Sequence, residues 1–232
     1  MKCLVDVARV QTSNWFLVLG LPLAVLLAAL VLNVATFAIM GFEPPPEGRM
    51  TGAPAALYVA MGIAHLQAMT QVFPFALGMS VTRRTFYAAT ALVICVQAAV
   101  YGIVLVVLGQ IELATSGWGL GIGFSRPPFL LQEGVLTQWL AYTTPMSAVA
   151  AAGVLMGVIF KRWGQLGVYA AIIGGGALLT GLAQLVTWQG WWPAVGAFVA
   201  SRSALELAAG YPLLLALLLG GAGWLVLRRT TA

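Results

Sequence analysis

Residues 86–111 read FYAATALVICVQAAVYGIVLVVLGQI, a run without a single acidic or basic side chain. About 20 such residues are enough to cross the hydrocarbon layer of a bilayer as a helix. The run is apolar throughout, whereas a barrel strand would switch between polar and apolar at every second position. Five further runs share this character: 15–40, 54–78, 136–160, 166–187 and 210–227. The expectation is an all-α, polytopic membrane protein with six transmembrane helices, built as a single membrane domain over residues 1–232.

The composition outside these runs agrees. Of the 232 residues 61% are hydrophobic and 7% charged, against roughly 25% charged in an average soluble domain. An isolated globular domain is excluded by that shortage of polar surface. The run 15–40 is too long for the apolar part of a signal peptide and Asp6 precedes it, so it reads as a retained helix. Cys3 and Cys95 cannot build a disulfide framework. The formal charge is +5 from eleven basic and six acidic residues, too sparse for a nucleic-acid surface, and no nucleic acid partner is expected.

Placement of the charges sets the orientation. With the N-terminus in the cytoplasm, the inside holds Lys2, Arg9, Arg83, Arg84, Lys161, Arg162, Arg228 and Arg229. The outside then holds Arg49, Arg126 and Arg202 together with Glu43, Glu47, Glu112, Glu133 and Glu206. That bias is the positive-inside pattern, and it puts both termini in the cytoplasm. Trp15, Trp163 and Trp224 fall near the inner boundary; Trp118, Trp139, Trp188, Trp191 and Trp192 fall near the outer one.

The connections carry their own signals. Glu43-Pro44-Pro45-Pro46-Glu47-Gly48 cannot be helical and reads as the cap of the first hairpin. Residues 116–123 alternate glycine at every second position and predict a flexible or extended outer loop. In residues 1–13, Lys2, Asp6, Arg9 and Ser13 fall within about 60° of one another on a helical wheel. Leu4, Val5, Val7, Ala8 and Val10 fill much of the remainder, with Gln11 the exception. Asp6 and Arg9 are spaced for an i,i+3 pair. The pattern predicts a short interfacial helix ahead of the first span.

What the spans lack narrows the function. Carriers driven by protons or sodium place ionisable groups at mid-membrane; here no Asp, Glu, Lys or Arg falls near the middle of a span, and His65 is the one imidazole. The expectation for His65 is a hydrogen-bonded core residue, with a carrier coupled through it as the alternative. One His and two distant Cys do not supply a metal site, Ser147 lacks the setting of a protease nucleophile, and there is no phosphate-binding loop ending in Gly-Lys-Ser/Thr. No metal, cofactor or catalytic residue is expected on this chain. The remaining amides in the spans include Gln67 and Gln71, which share a helix face and either line a polar pathway or bond to a neighbouring helix. Gly153 and Gly157 form a small-xxx-small pair that permits close helix approach.

The turn between the second and third runs reads Gly78-Met79-Ser80-Val81-Thr82-Arg83-Arg84-Thr85-Phe86. Gly78 is suited to end one helix, and Ser80 or Thr82 to cap the next. This stretch resembles the Gly…Thr-Arg-Arg-x-Phe segment of small bacterial permease subunits of ABC transporters of the type-two, exporter class. The six-span topology and interfacial N-terminal helix resemble that family too. The resemblance implies that the turn forms a coupling helix docked into a cytosolic ATPase, with Val81, Thr82, Arg83, Arg84 and Thr85 as its contacts. It further implies ATP and Mg on partner subunits, a second permease subunit, identical or related, and residence in the bacterial cytoplasmic membrane. It also implies outward movement of a hydrophobic or amphipathic substrate. The family places a short helix between spans five and six; Pro193 suits its first turn, and Arg202 and Glu206 are spaced to pair on it. A non-transporting membrane assembly or sensory module is the alternative reading.

Overall fold

The computed structural model describes residues 2–13, 16–40, 50–127 and 130–229. Trp15 and the Pro-rich hairpin with Glu43, Glu47 and Arg49 lie outside the described residues. Among the described residues the chain is all-helical, its one extended pairing being the isolated bridge between Met50 and Gly123. The helices are α1 (Lys2–Gln11), α2 (Leu21–Met40), α3 (Ala55–Gln67), α4 (Phe73–Gly78), α5 (Arg83–Ala114), α6 (Val135–Trp188), α7 (Trp192–Ala200) and α8 (Tyr211–Leu227).

Among the described residues, five helical stretches are long and apolar enough to cross a membrane: Val18–Ile39, Ala55–Gly78, Arg83–Ala114, Val135–Trp188 and Glu206–Leu227. The runs 136–160 and 166–187 both fall in α6, a 54-residue helix broken at Gly164 (φ 65°, ψ −157°). That backbone conformation is open to glycine and strained for other residues.

Three of these stretches overlap a widened π turn, at Phe16–Gly20, Ala68–Val72 and Glu206–Gly210. Each ends two residues before a proline: Pro22, Pro74 and Pro212. Proline brings no N–H and its ring crowds the carbonyl four residues back, so the helix widens there. In an apolar medium a carbonyl released in this way needs a partner from within the protein. Val18 O accepts from Gln97 Nε2 (2.7 Å) and Tyr101 Oη (3.0 Å) on α5. Ala208 O accepts from Thr144 Oγ1 on α6 (3.3 Å). Before Pro22 and Pro212 the released carbonyl thus meets a donor from a neighbouring helix.

The core has two parts. One joins Leu26, Leu57, Met61, Tyr101, Leu105, Phe124, Tyr142 and Met146. The other joins Val7, Phe73, Phe86, Val154, Val158 and Leu227. Between them along α3 and α5, buried His65 Nε2 lies 2.7 Å from Gln97 Oε1. Close approach of α3 and α6 depends on glycine: a methyl group at Gly153 would fall on the carbonyl oxygen of Gly62, and one at Gly157 would lie 2.5 Å from Met69 Cβ. The small-xxx-small expectation for this pair is therefore realised.

Candidate functional site

At the end of the bundle where α4 meets α5 the chain turns within residues 79–82. Val81 N–H bonds back to Ala76 O (3.1 Å) and Ser80 N–H to Leu77 O (3.0 Å), which closes α4. Ser80 takes the left-handed conformation (φ 64°), so it, and not Gly78, occupies the position where glycine is usual. Thr82 is extended and caps α5: its Oγ1 accepts from Thr85 N–H (3.2 Å) and lies 2.8 Å from Thr85 Oγ1. Arg83 and Arg84 therefore occupy the first turn of α5, and among the described residues no separate coupling helix stands between α4 and α5. Cations at a helix N-terminus oppose the helix dipole by about 0.3–1 kcal/mol each. Helix stability does not account for this arginine pair. Arg84 and Thr82 are exposed, Val81, Arg83 and Thr85 half-buried.

Behind this turn lies the second core. Val81 packs against it, and it holds α1 through Val7, α8 through Leu227 and α6 through Val158. The Phe73 and Phe86 rings meet tilted at 59° with centroids 5.1 Å apart, and Tyr87 donates to Gly220 O (2.5 Å) while its ring sits 5.5 Å from that of Trp224. The basic residues Lys161, Arg162, Arg228 and Arg229 follow directly in sequence from these α6 and α8 residues, and all four are exposed.

The N-terminal helix is present as expected, with Asp6 and Arg9 exposed on one side. Among the described residues they form no ion pair. The buried side is not the purely apolar arc of the wheel: Val5 and Val10 are exposed, whereas Gln11 is buried. Its amide nitrogen donates to Thr90 Oγ1 (3.0 Å) and Phe86 O (3.4 Å), fastening α1 to α5. The amide that breaks the wheel is the anchor.

Gln67 and Gln71 share an exposed face with Val59 and Ile63, Gln67 just before and Gln71 within the π turn that precedes Pro74. Among the described residues neither amide has a side-chain hydrogen-bond partner. His65 is a buried core residue, its Nε2 facing Gln97 and its Nδ1 without a partner among the described residues.

The opposite end holds a site that the sequence reading missed. Buried Glu112 accepts from Phe124 N–H (3.1 Å), Ser125 N–H (2.6 Å) and Trp118 Nε1–H (3.4 Å). Tyr142 Oη then donates to Ser125 O (2.6 Å). The glycine-alternating segment is consequently a folded loop, with Ser116, Gly117, Trp118, Gly119 and Gly121 at positive φ. An acidic residue so close to the apolar run was the available signal. Half-buried Trp139 donates its indole N–H to Ala99 O (3.0 Å) between α5 and α6. After α6, α7 has Pro193 in its first turn as expected, but ends before Arg202. Arg202 lies over the Phe198 ring (4.5 Å), and Glu206 accepts from Ser203 N–H (3.1 Å) in a capping box, so the two do not pair.

No protein-family model, curated protein or solved structure matches the chain.

Proposed function

We propose that this chain is the membrane-spanning half of an ATP-driven ABC exporter, moving a hydrophobic or amphipathic substrate outward with energy from separate cytosolic ATPase subunits. In this reading the six apolar runs each cross the bacterial cytoplasmic membrane and both termini face the cytoplasm. The observation that carries it is the turn at Val81, Thr82, Arg83, Arg84 and Thr85: a capped helix start with arginines against the dipole, seated on a core shared by α1, α4, α5, α6 and α8. That core joins the turn to both terminal helices, α1 and α8, and so supplies the route for a push on it. ATP and Mg belong to the partner; this chain contributes the handle.

The bare face carrying Gln67 and Gln71, and a span beyond Gly164 with no buried residue, support pairing with a second permease subunit. Two amides facing hydrocarbon alone would be unfavourable; across a pair of subunits they line a shared pathway. α1, with Asp6 and Arg9 outward, lies in the cytoplasmic interface beside the handle.

The test is co-purification with an ATPase encoded beside this chain, in gentle detergent, followed by Arg83→Glu/Arg84→Glu. The expected outcome is retained insertion and ATP hydrolysis with substrate-stimulated turnover lost. Stimulated turnover at the unaltered rate, with orientation checked by a topology reporter, overturns the assignment. Failure to capture any ATP-hydrolysing partner favours the assembly or sensory module. His65→Gln is expected to leave the pH dependence of transport intact, and its abolition favours a carrier.

A further inference from the structure

The break at Gly164 kinks α6 and leaves a corner between its two halves. An open groove of ≈ 540 Å³ runs through it, lined by Ile159 and Trp163 before the break and by Leu166, Gly167, Ala170 and Ala171 after it. Glycine lets the halves close up: a methyl group at Gly167 would fall on Trp163 Cβ and lie 3.3 Å from Ile159 Cγ2. The Trp163 indole forms one wall and is half exposed; Leu166 is 80% exposed. From Leu166 to Ala171 the groove follows about 8 Å of the second half.

The groove starts among cations. The Arg162 guanidinium stands 4.6 Å from the centroid of the Trp163 ring, so a positive charge is held on the groove wall itself. The ring engages its charge, and among the described residues its N–H donors meet no carboxylate or carbonyl acceptor. A guanidinium fork matches phosphate oxygens two donors at a time. Exposed Lys161 precedes it in the chain, and exposed Arg228 and Arg229 follow Leu227, which shares a core with Val158. Asp6 is the one acid at this end among the described residues.

This combination selects an occupant. An apolar groove within a bilayer takes hydrocarbon, and cations at its mouth take an anion joined to that hydrocarbon. A second copy of this chain would bring the same basic end to the same level, where like charges repel. A water-soluble partner reaches the cations but leaves Ala170 and Ala171 uncovered. A zwitterionic lipid carries its own ammonium beside the phosphate and gains less from this basic end.

We propose that the corner at Gly164 holds one anionic phospholipid of the surrounding bilayer, its phosphate on Arg162 within the field of Lys161 and one acyl chain along Trp163, Leu166 and Ala170. The site rests on the membrane-spanning reading of α6 and not on coupling to an ATPase, and it leaves the span beyond Ala171 for a second subunit.

The probe is phosphatidylglycerol with a photoreactive diazirine in one acyl chain, at low mole fraction in phosphatidylcholine nanodiscs around the purified full chain, mapped by peptide mass spectrometry. Saturable labelling within 159–171 is expected, with a phosphatidylcholine probe of the same tail labelling about tenfold less. Glycerol phosphate in the buffer is expected not to compete. Arg162→Gln is expected to weaken binding about fivefold, and Arg229→Gln, at the same end but outside the groove, by less than about twofold. Ala170→Trp fills the groove from an exposed position and is expected to abolish the labelling; if that variant does not fold, the two arginine variants decide. Equal labelling by both probes, equal losses from the two arginine variants, or label surviving Ala170→Trp overturns the proposal. Competition by glycerol phosphate also overturns it and gives the site to a soluble phosphate. A chain-to-chain disulfide through Ala170→Cys that excludes the label overturns it in favour of a second copy. Incorporation into the nanodisc, read separately by size exclusion, tests the membrane reading, so absent label in an incorporated chain strikes the lipid site alone.

Discussion

The two parts of α6, on either side of the break at Gly164, are opposites by packing. Before Gly164 it buries Gln138, Tyr142, Thr144, Met146, Gly153, Val154, Gly157 and Val158 among others; after Gly164 no residue is buried. Their glycines make the contrast sharpest. Gly153 and Gly157 have neighbours against them, while Gly174, Gly175, Gly176 and Gly181 have nothing within 4 Å of where a Cβ would stand. Both stretches are rich in small apolar residues. Composition alone therefore reports that a helix forms, and says nothing of whether its smallness is used by its own chain or is left for another surface.

The largest effect separates these two parts directly. Gly153→Val is expected to destabilise by at least about 3 kcal/mol, because the backbone of α3 at Gly62 cannot yield as a flexible side chain would. Gly175→Val is expected to leave the unfolding transition of the isolated chain unchanged. Thermal or SDS-induced unfolding of both variants decides it, and equal losses would mean that the second part packs against its own chain after all.

Next comes the polar tie between α2, α3 and α5. Gln97→Leu removes the donor to Val18 O and the partner of His65 together, with an expected loss of about 2–3 kcal/mol. Tyr101→Phe leaves Gln97 on the same carbonyl and is expected to cost about 1 kcal/mol. If the two losses are alike, the proline-released carbonyl is not what the amide serves.

The connections repeat the contrast between tied and bare. The loop after α5 is held to the bundle by Glu112, whereas α7 is exposed throughout and its neighbouring contacts are local. Glu112→Gln is expected to weaken the loop by about 1.5 kcal/mol. Limited proteolysis reads this as faster cutting within 115–127, with cutting around 201–203 unchanged. The smallest effect is at the turn between α4 and α5: Ser80→Gly relieves a left-handed serine and is expected to stabilise by about 0.5 kcal/mol.

Much of the helix framework was legible from hydropathy, because a continuous apolar run satisfies its backbone only as a helix in hydrocarbon. The first turn of α5 was legible through Thr82, whose hydroxyl is a local cap. Gln11 and Glu112 were not. A wheel scores an amide as an interruption and an acid beside a span as an outer charge, and in each case the partner lies far along the chain or across a turn of positive-φ residues. Gln67 and Gln71 sit between these cases: their shared face follows from spacing, their lack of a partner only from the packed structure.

The sequence by itself determined where most of the apolar helices run and where α5 is capped, since hydropathy, capping and backbone satisfaction act within a few residues. Only the tertiary structure decided which small residues touch another helix and which donors meet the carbonyls released before Pro22 and Pro212. Those outcomes depend on groups that approach from distant segments, and close packing fixes them by shape, which a one-dimensional pattern does not carry.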